Sequence, residues 1–154
     1  MYLATVPVFR HYLARISDMV ETAGPEALAT QIDDAFPAAQ QFATAAGFTL
    51  RIACPLAGRE VPSLPQALGP RLAVARAMLG AMAPADFDGA EVRIIHHRAG
   101  AADLAQTGSD FLYLYGLPNF FFHLTMGYAA LRIAGVPLGK ADFDGFHSYP
   151  PGFS

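Results

Sequence analysis

The sequence predicts a mainly α fold, a bundle of four long helices with a small β-hairpin before the last helices. Apolar residues recur at helical spacing over long stretches, Val6, Phe9, Leu13, Ile16 and Val20 being the clearest. Prolines and glycines divide these stretches and leave connections too long for a plain up-down series, so at least one connection runs overhand. One short run, Glu91 to His97, alternates at a period of two instead and is followed by a second extended run from Ala101 to Thr107, which makes a hairpin.

Helix one is expected from about Pro7 to Ala23, with Pro7 in the first turn and Gly24-Pro25 as the stop. A second long helix begins near Pro37 and runs to about Cys54, where Pro55 and Gly58 end it. Residues 56–70 hold three more prolines and form a connector. Helix three spans about Pro70 to Met82, with Leu72, Ala75, Met78, Leu79 and Met82 as its apolar face. After the hairpin, Ser109-Asp110 is expected to cap a short helix ending at Gly116. Pro118 then opens the last long helix, to about Ala134. The tail, Lys140 to Ser154, is expected to lie across the bundle. No repeat or linker divides the 154 residues, which read as a single domain.

The chain is 53% hydrophobic and only 15% charged. Two readings fit: an Ala-rich helical core, or a surface buried against a second copy in a homodimer. A formal charge of −3 and no basic stripe argue against nucleic acid. The most apolar region, 111–136, is interrupted by Pro118, Asn119, His123 and Arg132, which makes it a poor membrane span. With no secretory leader visible, the expected setting is cytoplasmic. A single cysteine, Cys54, excludes an internal disulfide and a cysteine zinc cluster, and reads as a small buried hydrophobe.

Specific chemistry concentrates at Leu117-Pro118-Asn119-Phe120-Phe121-Phe122-His123. Asn119 and His123 stand four residues apart and share a helix face inside an apolar element. His123 reads either as a polar group at the end of a pocket between helices, acting as a base or ligand, or as a core histidine bonded to Asn119, Tyr12 or a backbone carbonyl. Asn119 reads as a local cap or as a pocket residue with both a donor and an acceptor. Tyr12 and Tyr115 are candidates to offer hydroxyls to the same pocket. His96 and His97 are neighbours on a strand, point to opposite faces and cannot jointly hold an ion. His11 is placed on the polar face of helix one with Arg15, and His147 in the tail. No phosphate-binding glycine loop or Ser-His-Asp constellation is present.

That heptapeptide, with Tyr128-Ala129-Ala130-Leu131-Arg132 and Gly135-Val136-Pro137-Leu138-Gly139-Lys140, resembles a bacterial family known as domain of unknown function nineteen ninety-three, a branch of the DinB/YfiT-like helical bundles. Thr5-Val6-Pro7-Val8-Phe9 and Phe36-Pro37 resemble it too. The resemblance implies a four-helix bundle in up-down-down-up order. In many relatives it implies a divalent metal, zinc or nickel, held by three histidines, one from the second helix and two from the last, four residues apart. Some relatives are thiol-dependent transferases or isomerases. Here the last-helix pair is Asn119 and His123, and helix two contains no histidine. His123 is the one metal-ligand candidate left, and no other cofactor is indicated.

The first expectation is therefore a DinB-like bundle with a degenerate metal site and a small-molecule pocket between helices, bounded by His123, Asn119, Tyr12 and Tyr115, working as a homodimer. The alternatives are a metal-dependent, thiol-transferase-like enzyme that recruits ligands such as His11 or His147, and a purely structural interaction module.

Overall fold

A computed structural model describes residues 1–150. A 3-10 turn, Tyr2–Ala4, leads into α1 (Val6–Leu28), α2 (Ala38–Leu56) and α3 (Leu68–Gly80). A second 3-10 turn, Pro84–Phe87, precedes an antiparallel pair, β1 (Ile94–Ala99) and β2 (Ala102–Thr107). The chain then forms α4 (Gly108–Asp110), a π-helical segment (Phe111–Gly116), α5 (Leu117–Ile133) and the short α6 (Lys140–Asp144). The buried side chains form one continuous cluster, and α2 sits within it against α1, α3 and α5. Among the described residues no helix is long and apolar enough to cross a membrane.

The expected stripe of α1 is the buried one: Val6, Phe9, Leu13, Ile16 and Met19 are at most 1% exposed, and Val20 is half-buried. Regular helix geometry stops where Gly24-Pro25 predicts. Gly24 takes φ 70°, a conformation that costs glycine nothing, and one further turn follows to Leu28. On α2, eleven of the twelve residues from Gln41 to Ile52 are buried or half-buried; Arg51 is the exposed one. That burial suits an Ala-rich helix wrapped by others.

Two local expectations are corrected. The cap after the hairpin is Thr107, whose Oγ1 accepts the Asp110 N–H at 3.2 Å, instead of Ser109-Asp110. The chain also does not break at Gly116. Phe111, Gly116 and Leu117 all keep right-handed helical angles, so residues 108–133 form one continuous rod. The Leu117 N–H reaches back five residues to the Leu112 carbonyl, and that wider turn is the irregularity which accommodates Pro118. Burial of Phe111, Leu112 and Gly116 holds the rod in place.

In the hairpin Ile95 turns inward and is 3% exposed, while Val92 and Ile94 are outside. The pairing Ile94 with Thr107 through Ala99 with Ala102 puts His97 on the same inner face as Ile95. The tail packs on α1 up to Phe146, whose ring stacks on His11 at 5.0 Å. The expected course of the tail beyond Pro150 lies outside the described residues.

Candidate functional site

On α2, Gln41 and Phe48 are seven residues apart and therefore share a face, and that face meets α5 at His123. Gln41 is 2% exposed, one of few buried polar side chains. Its Oε1 lies 2.7 Å from His123 Nδ1 and accepts the ring N–H, which puts the proton on Nδ1 and the lone pair on Nε2. The His123 ring stacks on Phe48 with centroids 5.6 Å apart and planes at 24°. Arg51, one turn further along α2, sets its guanidinium 4.5 Å from the Phe48 ring centroid. Burial, and secondarily the Arg51 charge, hold the His123 pKa below the ordinary histidine value. The imidazole is therefore neutral at pH 7. Its Nε2 has no hydrogen bond to the described residues and is not sealed from solvent.

Asn119 lies one turn before His123 on α5, but its amide points along the rod. Nδ2 donates to the Tyr115 carbonyl at 2.7 Å, at the junction of the π segment with α5. Pro118 has no N–H to offer there, and the Asn119 side chain supplies a donor beside it. Its Oδ1 makes no bond to the described residues. Tyr115 packs against Phe48 at 6.1 Å and His97 at 4.3 Å, with its hydroxyl 3.5 Å from the Arg98 carbonyl. An aromatic row thus runs His123, Phe48, Tyr115, His97, Phe111. His97 hydrogen-bonds Gln106 through Nε2 at 2.7 Å, and its buried Nδ1 has no partner among the described residues. His96, on the opposite strand face, is exposed.

Tyr12 belongs to a different cluster. It packs edge-on to Phe121 at 5.1 Å and also touches Phe120 and Phe143. Burial first, then the Asp144 carboxylate, raise its phenol pKa. His11 is half-buried, held by the Asp144 carbonyl at 2.7 Å, and His147 Nδ1 pairs with the Asp144 carboxylate. Neither shares a partner with His123. Cys54 is fully buried, and burial pushes its thiol pKa up despite Arg59.

The structure therefore brings His123 together with Gln41, Phe48 and Arg51, leaves Asn119 and Tyr115 adjoining, and puts Tyr12 elsewhere. Gln41 was invisible to sequence reasoning. The available signal was the Gln40-Gln41 pair in a mostly apolar helical stretch, with Gln41 one heptad from Phe48. The donor chemistry does not fit a three-histidine centre: His123 brings a single imidazole, and a structural or catalytic zinc takes at least three protein ligands. Among the described residues no three His, Cys, Asp or Glu side chains are placed to hold a metal ion.

No curated protein matches the chain. Among solved structures it is similar to a DinB family member protein from Shewanella denitrificans, with a TM-score of 0.82 and 25% identity over 97% of this chain and 94% of that one. The family model described as Domain of unknown function (DUF1993) matches residues 1–144. The chain thus has a DinB-like fold and belongs to that family.

Proposed function

We propose that this protein binds a small organic ligand at the His123 end of the α2–α5 seam and that its metal site is degenerate. The observation that carries the reading is the state of His123. A neutral imidazole, anchored at Nδ1 by a buried amide and laid flat on Phe48, turns an unshared pair at Nε2 outward. Asn119 Oδ1 offers a second acceptor on the same helix face, and Arg51 a cation beside the Phe48 ring. A ligand with an N–H or O–H donor on a flat apolar body suits that arrangement: the donor meets Nε2 and the body covers the ring. Anchored side chains of this kind give orientation without loss of rotamer freedom on binding.

The metal-dependent, thiol-transferase-like alternative needs two further donors within about 2.0–2.2 Å of an ion on His123 Nε2. Calorimetric titration with zinc and with nickel, on the wild type and on His123→Ala, decides between the readings. No stoichiometric heat is expected. One-to-one binding that disappears in His123→Ala would overturn the degenerate site.

A homodimer is favoured by Leu114, Pro118 and Phe122, which lie exposed in a row along the rod. A single unpaired cysteine accords with a cytoplasmic setting.

A further inference from the structure

A cleft of about 780 Å³ opens between the end of α5 and the start of α6, lined by Tyr128, Arg132, Val136, Leu138, Lys140 and Tyr149. It shares no lining residue with the His123 site. Its volume lies within the range of clefts that hold drug-sized molecules.

The polar groups here are arranged for a particular charge. Arg132 follows Tyr128 by one helical turn, so the two side chains meet. Arg132 Nη1 donates to the Tyr128 hydroxyl oxygen at 3.3 Å and also to the Leu138 carbonyl. Those bonds use one end of the guanidinium and fix its plane against the cleft wall. The Nε and Nη2 edge has no partner among the described residues, and it is the fork that grips an oxyanion with two parallel bonds. Tyr128 accepts from Arg132, so its own hydroxyl proton remains to be donated. Lys140 brings a second cation with no ion pair among the described residues. The acid nearest to it in sequence, Asp142, gives Oδ2 to the Gly139 N–H at 2.7 Å. Helix termination explains the bond to the Leu138 carbonyl, but it does not explain a second cation and a phenol converging on the same space. Val136, Leu138 and the tyrosine rings supply the apolar remainder.

We propose that this cleft binds a small organic anion, a carboxylate or phosphate group on an apolar or aromatic body. Arg132 takes the oxyanion through Nε and Nη2, Tyr128 donates its hydroxyl, and Lys140 adds the second positive charge.

The test is a nuclear magnetic resonance titration of the 154-residue chain with phenylacetate, phenyl phosphate and inorganic phosphate. Saturable shifts centred on Tyr128, Val136 and Leu138 are expected with at least one aromatic probe, and the stronger probe names the headgroup class. Raising the salt should weaken binding, as for any exposed ion contact. Arg132→Gln should weaken it roughly tenfold, the scale of a lost charge-assisted pair. Because Arg132 also braces the turn, Lys140→Ala is the companion variant: its side chain makes no hydrogen bond or ion pair to a described residue, and the change should weaken binding about threefold at unchanged melting temperature. His123→Ala should change nothing. Absence of binding by both aromatic probes, or affinity unaltered in both cation variants, overturns the proposal. Inorganic phosphate binding as tightly as phenyl phosphate would overturn the apolar half of it.

Discussion

His123 is the residue at which burial works against protonation. Its folded pKa is depressed, by burial first and Arg51 second. The unfolded chain therefore takes up this proton at a higher pH than the folded protein does. In the window between the two values the unfolded state binds more protons, so stability rises with pH there and is lost as pH falls below about 6.5. The urea midpoint of the wild type should decline on acidification through that window, and the decline should be shallower in His123→Gln. Equal slopes in the two proteins would deny His123 the effect. Asp86, Glu91 and Asp144 do not obscure the window. Backbone hydrogen bonds lower their pKa values, and their contribution is lost at more acidic pH. Gln41 carries a second prediction. Gln41→Leu strands the Nδ1 proton of a half-buried ring, so a loss of about 1–3 kcal/mol is expected in denaturant unfolding. The double variant Gln41→Leu, His123→Leu should recover part of that loss, because both polar groups go together. Full additivity of the two single losses would mean the pair is not coupled.

Between elements, α5 comes close against α2 at Gly127. A Cβ placed there would come within 2.6 Å of the Phe42 ring. Gly127→Ala must shift a fully buried phenylalanine, and a loss of about 1–3 kcal/mol is expected from overpacking, read as a lowered melting temperature. A stability within error of the wild type would mean the seam yields more easily than its packing suggests. How legible the elements were follows from the range of the interactions that make them. The α1 stripe and its stop at Gly24 depend on neighbours within two turns, and the sequence displays them directly. Gln41 and His123 are 82 residues apart, and no local pattern announces their pairing. Pro118 reads locally as a start. The rod nevertheless passes through it, because Gly116 packs so closely on Ile52 that a Cβ at this position would lie 3.0 Å from the isoleucine side chain, and because Asn119 holds the Tyr115 carbonyl. Both supports are tertiary or non-standard, so a rule about proline and helix starts could not see them.

For the molecule as a whole, the open question that the surface poses is what covers the rod. A helix with one face on α2 normally turns polar residues outward. Here Leu114 is 71% and Phe122 57% exposed, and Pro118 lies between them. The spacing of four residues keeps all three on one side, so the apolar surface is a stripe and not scattered single residues. A second copy of the chain offers the same stripe, and a two-fold arrangement lets the two rods pack against each other. The stripe alone is smaller than the roughly 800 Å² per partner of a standard interface, so neighbouring surface must take part as a rim. Phe122 is the central large side chain and the natural anchor. Sedimentation equilibrium should give twice the chain mass for the wild type and the single-chain mass for Phe122→Asp. The melting temperature of the variant at low concentration should match the wild type, because the side chain that changes contributes little to the monomer core. A single-chain mass for the wild type across the accessible concentration range would remove the dimer and leave the stripe to a different partner.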